Sequence, residues 1–338
     1  MARICIYGAG AIGCYLGGRL AAAGAEVGFI GRPGIGEELR RHGLTLTHYD
    51  GRDWRVPPEV TAFSPGPDTA ASAELILVTV KSGATAQAAA ELAGVVSPGA
   101  VVISFQNGIG NAQTLRAALP GCSVLAGMVP FNVVKRGPGA FHQASEGEPE
   151  IEDSSALAPF LADFARAGFA LRRHRDMPPV QWAKLLLNLN NAVNALSGLP
   201  LQQELAQRGY RRCLALAQAE ALALLNEAGI RPARLTPLPA GWIPALLHLP
   251  DALFARFARK MLAIDPSARS SMADDLAAGR PTEVDWLNGE VVGLAQRLGR
   301  QAPVNARLIA LIKAAEQGQT SWSGEALLTE LQASAGRG

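Results

Sequence analysis

The chain has 338 residues, 49% of them hydrophobic and 18% charged, and a formal net charge of +2. That length buries a large core and points to two domains, while the near-neutral balance leaves no electrostatic footprint for nucleic acid or an anionic membrane. Four scattered cysteines, Cys5, Cys14, Cys122 and Cys213, have neither C-x-x-C pairing nor metal-ligand spacing, which argues for free core thiols in a reducing compartment and against a metal site. No apolar run reaches the ~18 residues of a membrane span. The N-terminus runs straight into a strand with no room for a signal peptide, so the expected setting is cytoplasmic.

The first element is a short apolar strand, Arg3 to Tyr7, followed by Gly8-Ala9-Gly10-Ala11-Ile12-Gly13. An amphipathic helical run, Cys14 to Ala23, comes next, then a second strand, Glu26 to Ile30. Strand, G-x-G-x-x-G, helix and strand in about 30 residues form the dinucleotide-binding βαβ unit. Gly8 permits the tight turn, Gly10 lets the backbone approach a pyrophosphate, and Gly13 lets helix and strand pack closely. The helix N-terminus faces the anion with its unpaired N–H groups. An NAD-preferring site places an acid at the end of the second strand for the ribose 2′-hydroxyl. Here that place holds Gly31-Arg32, with no acid until Glu37. A guanidinium matches a 2′-phosphate in charge and shape, so the expected cofactor is NADPH; the bland alternative is a solvated arginine at a strand end.

A Gly/Pro turn and a charged helical piece, Glu37 to His42, come next. Leu44 to Tyr49 and Trp54 to Val56 alternate around Asp50-Gly51, a hairpin signal; His42 and His48 read as solvated. Two further buried strands end at polar residues: Glu74 to Lys81, then Ala100 to Phe105 followed by Gln106-Asn107-Gly108. Ligands of an open parallel sheet bind beyond its carboxyl ends, which makes Lys81 and Asn107 candidates for the cofactor and substrate crevice. Val124 to Asn132, the Ala140–His142 region and Glu150-Ile151 read as short strands completing the sheet. Ser154 to Ala167 reads as a helix capped by Ser154, and the charged stretch 168–177 as the domain linker.

Beyond the linker the pattern is helical, over 180–196, 208–228, 250–263, 271–278, 282–298 and 303–317. Thr282-Glu283-Val284-Asp285 reads as a capping box with Asp in place of Glu, and Ser334 to Gly338 as a frayed end. On the first of these helices, otherwise Leu, Ala and Val, Lys184, Asn188 and Asn191 fall at i, i+4 and i+7 and share one narrow face. Such groups on so apolar a helix need partners, which favours a cleft over a solvent face. Lys184 is the best general acid in the chain, since partial desolvation lowers a lysine pKa toward neutrality. Glu283 is either a tuning or substrate-holding group or a helix-N1 glutamate favoured by the macrodipole. Ser271 is placed to hold a carboxylate, a role compatible with a helix N-cap.

Together these segments resemble the ketopantoate reductase family: the Gly8-x-Gly10-x-x-Gly13 turn, Arg32, Lys81, Gln106-Asn107-Gly108, the Lys184 and Asn188 helix, Ser270-Ser271-Met272 with Asp275, and Thr282 through Gly289. The resemblance spans nearly the whole chain. It implies an α/β protein with an N-terminal Rossmann-type domain (1–174) and an all-α C-terminal domain (175–330), with the active site in the cleft between them. It further implies NADPH-dependent reduction of 2-dehydropantoate to pantoate, in the pantothenate branch towards coenzyme A. Arg32 would contact the 2′-phosphate, Lys81 and Asn107 would lie along the cofactor and nicotinamide, and Lys184 would give a proton to the ketone oxygen. Asn188, Ser271 and Glu283 would hold the substrate, with Glu283 close to the lysine ammonium. The family commonly has an asparagine eight residues after the lysine; here that position is Ala192, with Asn191 or Asn194 placed to compensate.

That departure leaves room for a paralogue acting on another 2-oxo acid. A β-hydroxyacid dehydrogenase of the 6-phosphogluconate type is a second enzymatic reading, and a non-catalytic NADP(H) sensor is a reading from another class. The expected partner is a small 2-oxo acid, with no metal, nucleic acid or membrane; the apolar helical domain is compatible with a homodimer.

Overall fold

The structure is a computed structural model that describes residues 2–257, 266–318 and 321–336. The end of the helix expected over 250–263 and the last two residues of the tail lie outside the described residues. The chain divides into two compact units, Met1–Met177 and Pro178–Gly338. Among the described residues no helix is long and apolar enough to cross a membrane.

The first unit opens with β1 (Ile4–Tyr7), α1 (Ala11–Ala22) and β2 (Val27–Ile30). Next come α2 (Pro33–His42), the hairpin β3 (Leu44–His48) and β4 (Asp53–Val56), and β5 (Ala62–Ser64). β6 (Leu75–Val78), α3 (Thr85–Ala93), β7 (Val101–Ser104), α4 (Asn111–Ala118) and β8 (Ser123–Met128) come after it. The unit closes with β9 (Val133–Gly137), β10 (Ala140–Gln143), β11 (Glu150–Glu152), α5 (Leu161–Arg166) and β12 (Arg172–His174).

Eight strands form one sheet in the order β12-β11-β8-β7-β6-β1-β2-β5. Every neighbour pair from β5 to β8 is parallel. Counted along the chain, that run has the 3-2-1-4-5-6 order of a doubly wound dinucleotide-binding sheet, which reverses direction between β1 and β6. Its central strands are buried on both faces, with Ile4 and Ile6 in one core and Cys5 and Tyr7 in the other. This is why they read as continuous apolar runs.

A second sheet, β4-β3-β10-β9, corrects the expectation that residues 140–142 complete the main sheet. It packs on α1. Leu44 and Leu46 lie so close to Gly18 that a side chain there would meet them at 2.9 and 2.8 Å. α1 is consequently buried from Gly13 to Ala21 rather than amphipathic. Its Arg19, 2% exposed, lies 3.7 Å from the Trp54 ring centroid and donates through Nε to the Ala167 carbonyl at 3.1 Å. A cation covered by aromatic rings and a carbonyl tolerates burial that an isolated one would not.

Other expectations need correcting as well. His48 is 8% exposed, with Nδ1 2.6 Å from Asp50 Oδ1, and is not solvated. α2 begins at Pro33, so the expected turn is its first turn. Ser154 does serve as an N-cap, accepting from the Ala156 amide, but Pro159 limits residues 155–160 to a 3-10 turn before α5. The stretch read as linker contains β12, a parallel edge strand on β11.

The described part of the second unit holds helices and no strand: α6 (Pro178–Asn188), α7 (Asn190–Ser197), α8 (Leu201–Ala206), α9 (Arg208–Glu227) and α10 (Ile243–Leu247). α11 (Asp251–Phe257), α12 (Ser271–Ala277), α13 (Val284–Arg297), α14 (Pro303–Glu316) and α15 (Gly324–Ala335) complete it, so Ser334 is helical rather than frayed. α9 is the hub and packs against α7, α8, α10, α13, α14 and α15. Its Cys213, Ala217 and Ala221 are fully buried small residues that let helices approach on several sides.

Candidate active site

In the first unit, the turn between β1 and α1 has the geometry an anionic group needs. Gly8 has φ +118°, a backbone conformation that L side chains rarely adopt. A Cβ on Gly13 would fall 2.2 Å from the Gly8 carbonyl oxygen and 2.5 Å from Thr79 Oγ1. Gly10 is different: a Cβ there would meet no protein atom within 4 Å. The space beside Gly10 is therefore open to a ligand. Gly10 also caps α1, with no side-chain cap and no acid in the first turn, so the end of the helix dipole faces no competing carboxylate. Ala9, Ala11 and Ile12 complete this turn. These residues fit a diphosphate.

Arg32 is exposed at the end of β2 and is the N-cap of α2. Glu37 is exposed, and Glu38 is taken up by Lys135 and the Gly139 amide. Lys81, also exposed, opens the turn after β6, and half-buried Asn107 lies in the turn after β7.

Those two turns are tied together by a buried network that reading the sequence missed. Ser82 Oγ donates to the Asn107 carbonyl at 2.7 Å, and Asn111 Nδ2 donates to the same oxygen at 2.6 Å. Gln106 Nε2 reaches the Val80 carbonyl at 3.0 Å and Thr85 Oγ1 at 2.7 Å, while Ser104 Oγ donates to Gln106 Oε1. Thr79 Oγ1 joins β6 to the glycine turn by donating to the Gly8 carbonyl at 2.7 Å. The missed signal was local: three hydroxyl or amide residues, Ser82, Thr85 and Asn111, stand where helices begin behind Lys81 and Asn107.

In the second unit, Lys184 and Asn188 lie on α6, four residues apart on one face and both half-buried. Burial pushes the Lys184 ammonium down to about 8, because desolvation disfavours the charged form. The single helix expected over 180–196 is divided at Leu189, which keeps helical backbone angles and donates to the Leu185 carbonyl at 3.0 Å. Gln218 of α9 donates through Nε2 to the Leu186 carbonyl at 3.0 Å, the oxygen that the Asn190 amide takes in an unbroken helix. Half-buried Asn191 lies in the second segment, three residues after Asn188.

Asn194 does not compensate for Ala192. It is fully buried, and it donates to the Leu199 carbonyl at 3.0 Å while accepting from the Ser270 amide at 2.9 Å. Ala192 is fully buried as well. The α12 cap is Ser270, whose Oγ accepts from the Ala273 amide and donates to the Asn191 carbonyl at 3.2 Å. Ser271 is thereby left exposed in the first turn of α12.

Glu283 is half-buried and precedes α13 as its N-cap residue. The expected capping box does not form. Thr282 Oγ1 accepts from the Val284 amide at 3.4 Å, but its own amide and hydroxyl donate to Glu316 Oε1 at 2.9 and 2.8 Å, and Asp285 pairs with Lys313 at 2.7 Å. These contacts fix the turn that presents Glu283.

Residues 4–155 match the family model described as Ketopantoate reductase PanE/ApbA, and residues 176–316 match its partner, Ketopantoate reductase PanE/ApbA C terminal. The chain belongs to the ketopantoate reductase family. A 2-dehydropantoate 2-reductase of Halobacterium salinarum is 29% identical over 322 residues, covering 93% of this chain and 99% of the relative. A crystal structure of a PanE/ApbA family ketopantoate reductase from Ralstonia eutropha JMP134 is 33% identical, with TM-score 0.79 over 93% of this chain and 98% of that one. D-mandelate dehydrogenase, solved with NADH and anilino(oxo)acetate, is similar at TM-score 0.73 over 93% of this chain and 98% of its own. At 17% identity that likeness extends to the fold alone. Within the ketopantoate reductase family match, the glycine turn, Arg32, Lys81 and Asn107 fall in the first segment, and Lys184, Asn188, Asn191, Ser271 and Glu283 in the second.

Proposed function

We propose that this family member is an oxidoreductase that reduces 2-dehydropantoate to pantoate with NADPH, in the pantothenate branch towards coenzyme A. The observation that carries the reading is Lys184, a half-buried ammonium whose pKa burial lowers to about 8, in the segment shared with a 2-dehydropantoate 2-reductase. Bound NADPH supplies the hydride to the ketone carbon. The glycine turn holds the diphosphate and Arg32 the 2′-phosphate; Lys81 and Asn107 line the path to the nicotinamide. Lys184 donates its Nζ proton to the ketone oxygen as charge develops there, then recovers a proton from solvent. Asn188, Asn191, Ser271 and Glu283 orient the substrate by hydrogen bonds.

Arg32→Ser is expected to raise KM for NADPH while leaving KM for NADH unchanged. A hydrogen bond to a charged group contributes about 1.5–3 kcal/mol, so the expected rise is roughly ten- to hundredfold. Equal KM values for NADPH in variant and wild type would remove Arg32 from the cofactor site.

A second reading, a paralogue specific for another 2-oxo acid, draws support from the two buried positions. Ala192 has no amide to offer, and the Asn194 amide is engaged at both ends. A panel of 2-oxo acids, with a 3-hydroxy acid included, separates these readings by absorbance at the reduced-nicotinamide band. Turnover confined to a different 2-oxo acid selects the paralogue. Activity on the 3-hydroxy acid alone selects the β-hydroxyacid dehydrogenase.

A further inference from the structure

The helical unit buries a carboxyl group that the proposed reaction does not use. Glu204 of α8 is 0% exposed, and its Oε2 accepts from Asn190 Nδ2 at 3.0 Å. Its other oxygen, Oε1, is buried without a hydrogen-bond partner, and so is Oδ1 of the same Asn190. Two orphaned acceptors thus sit on two groups already joined through their remaining atoms. A carboxylate has no donor to offer and would leave the Asn190 oxygen orphaned, an arrangement native structures rarely tolerate. One proton on Oε1 removes the problem. The acid then has a donor of its own, and the orphaned amide oxygen of Asn190, on the group it already meets through Oε2, is the acceptor that donor is assigned.

The surrounding charges permit this state. Among the described residues the cation acting on it is Arg211 of α9, itself fully buried, but it donates to the carbonyls of Leu205, Ala206, Leu247 and Leu249 and pairs with Asp251. Tyr210 and Cys213, also on α9, are the other titratable groups in the field of Glu204 among the described residues. From α7 the amides of Asn190 and Asn194 both hydrogen-bond the carboxyl and favour its charged form. Burial dominates and raises the Glu204 pKa to about 8, against the opposing effects of Asn190, Asn194 and Arg211.

Asn190 is the first residue of α7, directly after the division at Leu189. Side chains hold both segments there. Gln218 holds the Leu186 carbonyl on one side, and Ser270 holds the Asn191 carbonyl on the other. We infer that Glu204 is a neutral carboxylic acid in the working protein, and that its pair with Asn190 positions the first turn of α7 between Asn188 and Asn191. The positioning half rests on those two asparagines orienting the substrate; the protonation half does not.

The test uses the full chain with E204Q and E204A. Glutamine replaces the acid by an amide that supplies the same donor and acceptor without ionising. In the infrared difference spectrum of wild type minus E204Q at pH 7, without substrate, a protonated carboxylic-acid carbonyl band is expected, disappearing as pH rises through about 8. Thermal stability gives the same answer by linkage. The folded state holds this proton more tightly than the unfolded chain, so the stabilisation is complete below the ordinary glutamate value of 4.5 and is lost as pH rises to about 8. Relative to E204Q, the wild type should therefore lose Tm across that interval and run parallel to it outside. An ionised-carboxylate band at pH 7, or parallel Tm curves throughout, would overturn the protonation. In kinetics, E204A is expected to raise KM for the 2-oxo acid roughly ten- to hundredfold with NADPH affinity unchanged, and E204Q to restore it. An unchanged oxo-acid KM in E204A would overturn the positioning. The spectra and melting curves need no substrate, so they hold even if the reductase reading fails.

Discussion

Lys184→Ala is expected to lower kcat by about 10²–10⁴-fold, the usual contribution of a positioned general acid, while NADPH affinity stays near wild type. The split arises from where the residue sits. Lys184 lies on α6 of the helical unit, whereas the glycine turn and Arg32 belong to the sheet unit. The same residue sets the pH dependence. Reduction needs the ammonium form, so kcat/KM should fall as pH rises through about 8, the value to which burial lowers this lysine. Steady-state kinetics from pH 6 to 10, with a fluorescence titration of NADPH, measures both effects. A variant within tenfold of wild-type turnover, or an alkaline limb retained in Lys184→Ala, would remove the lysine from the chemistry.

Gly13→Ala is expected to damage fold and cofactor binding together. Its Cβ would stand 2.2 Å from the Gly8 oxygen and 2.5 Å from Thr79 Oγ1, so α1 must shift away from β1. Overpacking of this kind costs roughly 1–3 kcal/mol, sometimes more, and the shift also moves the helix N-terminus that faces the diphosphate. Gly10→Ala is the control. Its Cβ meets nothing in the protein, so stability should change by less than about 0.5 kcal/mol, while the methyl group fills the ligand's space and weakens NADPH binding. Denaturant unfolding with a binding titration reads both variants. A Gly13→Ala protein as stable as Gly10→Ala would contradict the packing assigned to this turn.

The sheet unit was legible where local chemistry and tertiary role coincide. A turn that needs φ > 0 selects glycine, and central parallel strands buried on both faces select unbroken apolar runs, so β1, α1, β2, β6 and β7 could be read along the chain. The amphipathic reading of α1 failed because β3, β4, β9 and β10 cover its outer face. That sheet joins residues 44–56 to 133–143, a pairing no local window contains. The charged run at 172–174 was taken for linker because an edge strand needs only a backbone partner, here β11.

In the helical unit, periodicity located most of the long helices but not the division at Leu189, where Gln218 of another helix takes the Leu186 carbonyl. Lys184 and Asn188 kept their shared face because both precede it. Asn194 looked like a spare amide for the substrate; its partners, Leu199 and Ser270, are backbone groups invisible to side-chain patterning. The capping reading at Thr282 failed for a similar reason: Glu316, from α14, competes for the hydroxyl and the amide.

NADPH-dependent reduction of a 2-oxo acid is read from oxidation of NADPH and of NADH with 2-dehydropantoate, run side by side and followed by absorbance. Turnover is expected with NADPH, and a kcat/KM at least roughly tenfold lower with NADH, the loss of about one charge-assisted contact at Arg32. Equal or better use of NADH would contradict the role given to Arg32. Tight NADPH binding without oxidation on any 2-oxo acid would contradict the reductase itself and leave a cofactor-sensing protein in its place.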